Sequence, residues 1–355
     1  MNLTNKDIKQ TDMNKDHYLP AEWESQSYIQ LTWPHADTDW AYMLPEVEEC
    51  FVNLANEIAS RQPLLLVAPE FPEALKDFKY MDNTTFFKCN TNDTWARDHA
   101  FITMMDPHAD PQLLDFCFNG WGMKFAADKD NLINYNIHKN DIINGDYINK
   151  RNFVLEGGSI ESDGKGTLLT TSLCLLAPNR NDTMSRKEIE NFLKECFNLK
   201  QVLWLDYGYL AGDDTDSHVD TLARMCPEDT IVYVKCNDEN DEHYSALMAM
   251  ESQLKTFRTL EGKPYRLLPL PMAEAVYDED GYRLPATYAN FLIMNDAVLF
   301  PTYNQPENDK AAAAVLAEAF PGREIVGVDC RALIKQHGSL HCVTMQYPTP
   351  VFREE

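Results

Sequence analysis

The sequence predicts an α/β fold built from a repeated strand-and-helix unit, and three observations carry that reading. Amphipathic helical segments alternate with short apolar runs of strand length. The last three helices begin about 55 to 70 residues apart, and the interval from the first to the second is about twice that, as in a series where one helix has degraded. No Ser/Gly-rich linker divides the chain. The expectation is therefore a single domain over residues 18–355, preceded by a polar extension over residues 1–17, with about five units of roughly 60 residues each.

The elements follow in order. Glu46 to Arg61 sets Val47, Phe51, Leu54 and Ile58 on one face, spaced three or four apart. Ser185 to Leu199 repeats the pattern with Ile189, Phe192, Leu193 and Cys196, and opens on Ser185 and Glu188 at capping-box spacing. Asp241 to Thr259 carries Tyr244, Leu247, Met248 and Leu254. Asn308 to Phe320 is alanine-rich and stops at Pro321-Gly322. Between them lie Leu64 to Val67, Phe101 to Met105, Gln112 to Phe118, Val202 to Leu205, Ile231 to Val234, Phe291 to Met294 and Ile325 to Val328. Several are continuous rather than alternating, which predicts strands covered on both faces. Asp128 to Arg151, polar and rich in Asn and Ile, reads as an insertion or lid-like loop.

Composition narrows the function classes. The chain has 355 residues, 44% of them hydrophobic, which predicts a packed core and not general disorder. A formal charge of −25 repels phosphate backbones and anionic membranes, and attracts small cations. The nine cysteines are scattered with no C-x-x-C pair, as expected of reduced thiols in a cytoplasmic protein. Residues 1–17 lack the apolar stretch of a secretory signal, and no run of about 18 apolar residues could span a bilayer.

Four strings carry chemistry. Cys342 follows a turn at His337-Gly338-Ser339 and begins an apolar run, which predicts an exposed, rigidly aimed nucleophile on a strand edge. The bland reading is a ninth buried cysteine. His218 lies among Asp213, Asp214, Asp216 and Asp220, whose carboxylates would raise its pKa as a proton donor requires. An acidic surface loop and a divalent-metal string compete with that reading. Glu156 ends an apolar run and precedes Gly157-Gly158, where another group can approach the backbone closely, unless it is a plain glycine turn. Trp95, Arg97 and Asp98 suit a pocket wall in which the acid pairs with the guanidinium, or else a surface contact worth little. No P-loop, G-x-G-x-x-G or H-E-x-x-H occurs.

These strings, taken in order, resemble the agmatine deiminases and related bacterial peptidylarginine-deiminase-like proteins of the guanidine-modifying (pentein) superfamily. The resemblance runs nearly end to end. It takes in Leu19-Pro20-Ala21-Glu22-Trp23-Glu24, Thr32-Trp33-Pro34 and Asn92-Asp93-Thr94-Trp95-Ala96-Arg97-Asp98. It continues through Leu155-Glu156-Gly157-Gly158-Ser159-Ile160, Thr170-Thr171, Pro178-Asn179-Arg180-Asn181, Asp214 to Asp220, and His341-Cys342-Val343-Thr344. It implies a fivefold pseudosymmetric α/β propeller of ββαβ-type units around a polar centre. It also implies Cys342 as nucleophile, His218 as general acid and base, Asp98 and Asp220 gripping a guanidinium, and Glu156 as a further carboxylate. Trp95 and Asp214 match positions lining the substrate channel. Two departures touch substrate fit more than chemistry: Gln336 to His341 replaces a glycine triplet with Asn-Ile-His, and position 214 is Asp where relatives often carry Glu.

The expected activity is hydrolysis of a guanidinium substrate through a covalent cysteine intermediate. Agmatine would give N-carbamoylputrescine and ammonia, on the way to putrescine in polyamine biosynthesis, with no metal or organic cofactor. The expected partner is a small cationic substrate, with neither nucleic acid nor membrane, and assembly with further copies of the chain is compatible with this. One alternative is a deiminase of arginine or peptidyl-arginine, for which Arg97, Arg180 or Arg224 could meet the carboxylate. Another is an inactive scaffold that binds metal or a partner.

Overall fold

Each of the seven apolar runs becomes a strand, and the pairing of the strands repeats. The computed structural model describes residues 17–351. The expected polar extension lies outside them except for His17, which is buried with Nδ1 3.3 Å from Asp106 Oδ2. Strand Ile102–Met104 runs antiparallel to Gln112–Cys117, which pairs in parallel with Asp146–Val154. The same order recurs in Ile160–Ser162, Thr167–Thr171 and Gln201–Leu205. It recurs again in Ala223–Cys226, Thr230–Lys235 and Arg266–Pro271, and in Leu292–Ile293, Ala297–Thr302 and Glu324–Asp329. In the remaining large sheet Thr344–Pro348 is antiparallel to Gln26–Thr32, which pairs in parallel with Leu64–Ala68, and that strand with Thr84–Lys88.

Parallel neighbours need a crossover, and an α-helix supplies one in each of the five larger sheets. The crossover helices are Leu44–Ala59, Ile133–Lys139, Arg186–Cys196, Tyr244–Leu254 and Pro306–Ala319. Val47, Phe51, Leu54 and Ile58 are buried along the first, as their spacing predicts. Ser185 caps the third with the reciprocal Glu188 bond of a capping box. Strand Leu64–Ala68 is buried at every position, as its continuous apolar run predicts. Among the described residues no helix is long and apolar enough to cross a membrane.

Residues 128–151 correct the sequence expectation. They form no lid: they are the crossover and much of the third strand of the second sheet. Asp130 is buried and accepts the backbone N–H groups of Asn92 and Asp93 at 2.6 and 3.1 Å. Ile133, Ile137 and Ile143 pack with Phe101 and Leu113 in one apolar cluster. The helix Ile133–Lys139 spans seven residues, fewer than two full turns, so its period is too short to register in the sequence. It is the degraded helix of the series.

A common register positions the site. Asp98, Glu156, Asp220, Asn290 and Cys342 each precede the antiparallel first strand of their sheet, by about five residues or fewer. Equivalent points of five similar units therefore deliver polar side chains to one place.

Candidate active site

Gly158 marks the centre. A methyl group there would stand 2.6 Å from His218 Nδ1, 2.9 Å from Asp98 Oδ1 and 3.0 Å from Asp220 Oδ2, so three side chains from the lead-ins of two other sheets crowd one glycine. The backbone N–H of Gly158 donates to Asp98 Oδ1 at 3.0 Å. Trp121 Nε1 donates to Asp98 Oδ2 at 2.8 Å, leaving that carboxylate fixed at both oxygens. Glu156, fully buried, accepts Arg180 Nε at 2.9 Å through Oε1. Four buried atoms of the group have no hydrogen-bond partner: Glu156 Oε2, Asp220 Oδ1 and both ring nitrogens of His218. Orphaned polar atoms cost folding energy, about 1–3 kcal/mol each, so their gathering in one cluster marks a site that serves a ligand.

Charges here are strongly coupled. Burial alone would lower the pKa of His218, but Asp98, then Cys174 and Glu156, push it up to about 10. His218 Nδ1 lies 3.6 Å from Asp98 Oδ1. Burial raises the Asp98 carboxyl to about 6, helped by Asp220 and Glu156 and opposed by His218 and Trp121. The largest upward contribution comes from Asp98 of another sheet, and Asp220 and Asp213 of its own loop are coupled to the same imidazole, as their spacing predicts. Asp213 braces that loop, accepting Thr215 Oγ1 at 2.6 Å and the Ser217 N–H at 2.7 Å. Asp216 is tied to Arg180 Nη1 at 2.6 Å and Lys124 Nζ at 2.9 Å.

Cys342 is 4% exposed and lies in a turn two residues before strand Thr344–Pro348, so it is neither exposed nor on the strand edge. Asn290 Oδ1 accepts the backbone N–H groups of His341 and Cys342 at 2.9 and 3.3 Å and lies 3.3 Å from Cys342 Sγ. Burial, with Asp220 and Asp98, pushes the thiol well above its ordinary value. Arg97 also departs from expectation. It turns away from Asp98 toward Glu22 (3.9 Å), the His341 carbonyl (3.4 Å) and the Met345 sulfur (3.4 Å), because adjacent residues of the short helix Ala96–His99 face different ways.

A cleft leads to Cys342 and Asp98. Four aspartates, Asp39, Asp93, Asp98 and Asp214, line it with Trp95 and Trp121, and no arginine or lysine is among its lining residues. Trp95 and Trp121 meet edge to face at 6.3 Å between centroids. Gly338 makes room for this wall, since a Cβ there would sit 2.1 Å from the Trp95 ring. His337 Nε2 is 3.8 Å from Asp214 Oδ2 at the mouth. Asp98, Glu156, His218, Asp220 and Cys342 are thus brought together, with Trp95 and Asp214 on the approach.

Two sets of side chains have metal-ligating atoms within 4.8 Å of one another: Glu156, Cys174 and His218, and Glu22, Glu161 and His341. A guanidinium already sits on each, Arg180 on Glu156 and Arg224 on Glu22 and Glu161, which places a cation where an ion would need to lie. Sequence reasoning missed Asn290, Trp121 and Cys174. Asn290 could have been found from the register, since Ala289-Asn290-Phe291 leads into a first strand as Cys342 does.

Comparison with known proteins agrees with this geometry. A protein of Photobacterium profundum, provisionally named an agmatine deiminase, is 32% identical over 354 residues, covering 93% of this chain and 95% of its own. The structure of a provisionally named arginine deiminase from Porphyromonas gingivalis is 52% identical with a TM-score of 0.90, covering 95% of this chain and all of its own. A cysteine-to-serine variant of C. jejuni agmatine deiminase with substrate bound is 40% identical with a TM-score of 0.86, covering 93% of this chain and 96% of its own. The Porphyromonas-type peptidyl-arginine deiminase family matches residues 18–348. Spanning almost all of the described structure, that match shows that the chain belongs to this family.

Proposed function

We propose that this protein hydrolyses a guanidinium to a ureido group with release of ammonia, and that its substrate is agmatine. The observation that carries the reading is the cluster of unpartnered buried atoms on Glu156, Asp220 and His218 beside the Cys342 thiol. A planar cation with donors along its edges is the complement of such a cluster. We also infer that the five sheets surround this centre with fivefold pseudosymmetry, since equivalent residues of each unit converge on it.

The steps follow from the charges. Cys342 begins as a neutral thiol and His218 as an imidazolium. Binding of a cation beside Asp98 and Asp220 offsets the charges that hold the thiol proton, which leaves to solvent. The thiolate forms a C–S bond to the guanidinium carbon. His218 gives its proton to the departing nitrogen, the C–N bond breaks, and ammonia leaves an S-alkylthiouronium. His218, now neutral, takes a proton from water as the C–O bond forms. The C–S bond then breaks as the new hydroxyl group gives up its proton to the departing sulfur, which restores the neutral thiol and releases the ureido product.

The cleft favours agmatine over arginine. Beyond Asp98, which meets the guanidinium, its Asp39, Asp93 and Asp214 suit an ammonium tail, whereas a substrate α-carboxylate would meet them with no arginine to receive it. Arg180 and Arg224 are engaged by Glu156, Asp216, Glu161 and Glu22, and Arg97 faces away. Each unfavourable charge contact costs about 1–3 kcal/mol, so agmatine is expected to exceed free arginine by about a hundredfold or more in kcat/KM. Ammonia release over agmatine, arginine and an arginine peptide tests this. Asp214→Asn is expected to weaken agmatine more than a neutral-tailed alkylguanidine. Equal efficiency on all three substrates would remove the agmatine assignment and leave the deimination chemistry.

A further inference from the structure

Behind Asp220 and Cys342 lies a buried row of alternating charges that the steps above do not use. His341 Nδ1 is 2.8 Å from Asp220 Oδ2, and His341 Nε2 is 2.8 Å from Glu22 Oε2. Arg224 Nη2 reaches the same Glu22 oxygen at 2.8 Å and stands 3.1 Å from His341 Nε2, as two donors sharing one acceptor do. Glu22 Oε1 accepts the backbone N–H of Ile293 at 2.8 Å. Every polar atom of the Glu22 and His341 side chains is therefore engaged, and Asp220 Oδ1 alone in the row has no partner. Burial opposes the charge of Glu22, but His341, Arg224 and Arg97 hold its carboxyl well below the usual carboxylate range. Burial likewise opposes the charge of Asp220, which the His341 bond outweighs.

A carboxylate turns easily about its terminal torsion, since that torsion is broad and roughly twofold. A substrate cation gains from a carboxylate oxygen only if that oxygen is held where the cation arrives. We propose that Glu22 and His341 form a positioning relay for the substrate: Glu22 orients the His341 ring, and His341 pins one oxygen of Asp220. The other oxygen then meets the guanidinium in a single orientation. Glu22 and His341 line a separate cavity with Arg97 and Glu161, whereas Asp220 meets Asp98 and His218 around Gly158, so both act through Asp220. The relay explains why a motif in the lead-in to the first strand, Pro20-Ala21-Glu22-Trp23, bears on a site built around residue 342. It rests on the guanidinium reading above.

A double-mutant cycle tests the relay. Agmatine binding is measured by calorimetry in the Cys342→Ser protein, where no turnover intervenes, with Glu22→Gln and Asp220→Asn introduced singly and together. Glu22→Gln is expected to weaken binding about tenfold when Asp220 is present, and less than about twofold once Asp220 is Asn. Glu22→Asp keeps the charge but withdraws it by one methylene, and serves as the second variant. Its effect is expected to be smaller and to vanish in the same background. Melting temperatures are recorded for every corner, because a merely structural loss would weaken binding equally in both backgrounds. Equal weakening in both backgrounds, or none in either, overturns the relay while normal agmatine binding leaves the guanidinium reading standing. If the Cys342→Ser protein binds no guanidinium compound and the wild type turns none over, that reading falls and takes the relay with it.

Discussion

A thiol enclosed beside Asp98 and Asp220 is held in its neutral form, so the cation must help to activate its own nucleophile. Cys342→Ser should abolish turnover with the fold retained, whereas Cys226→Ser and Cys330→Ser, buried in the main apolar cluster, should stay active. Turnover of about a tenth of wild type or more in the Cys342 variant would end the covalent assignment. The proton on Asp98 supplies a second measurement. Its carboxyl is held up at about 6, so the charge that grips a cation is present above that pH and lost below it. Agmatine affinity in the Cys342→Ser protein should therefore fall as pH drops through about 6, and a flat profile between about pH 5 and 7 would count against Asp98 as a grip. Of the residues singled out in the sequence, Cys342, His218, Glu156, Asp98 and Asp220 lie at the centre and Trp95 and Asp214 on its approach, whereas Arg97 turns away. Their neighbours were not legible. Trp121 acts on Asp98 from 23 residues away and Asn290 on Cys342 from 52, and no local spacing encodes such contacts.

Each functional side chain sits on a short lead-in to a first strand, and these lead-ins tolerate little added volume. Gly158 shows this most clearly, since its missing Cβ is the space in which His218, Asp98 and Asp220 meet. Gly158→Ala should lower kcat/KM by about a hundredfold or more while the melting temperature shifts by only a few degrees, because the clash falls on side-chain ends and not on the core. Loss of folding instead would show that the glycine serves packing. Crossover helices of eleven residues or more were readable from their apolar period, and seven strands from their apolar runs, whereas others such as Thr167–Thr171 and Ala297–Thr302 were not picked out. The helix Ile133–Lys139 was not, being short and carrying Asn134 and Asn136. The strand Gln26–Thr32 was missed as well: Gln26, Ser27, Gln30 and Thr32 are polar yet buried, their side chains answered by partners such as Tyr347 and Gln62 that only the folded chain supplies.

At the scale of the molecule, the sheet that mounts the nucleophile is assembled from both ends of the described chain. Thr344–Pro348 pairs with Gln26–Thr32, with Gln30 opposite Met345 and Leu31 opposite Thr344. Pairing across such a separation comes late in folding, because loop-closure entropy must be met before the contacts form. Hydrogen exchange should find Thr344–Pro348 protected only when Gln26–Thr32 is, and denaturant titration should show activity lost together with that protection. Activity that survives exchange of this strand would separate the two. The sulfur lies two residues before that strand, so a polypeptide in which the strand is unpaired would hold the carboxylates of the other sheets with no positioned sulfur to attack a guanidinium. Competence would then wait on one closure: the nucleophile is aimed only once Thr344–Pro348 has zipped onto Gln26–Thr32.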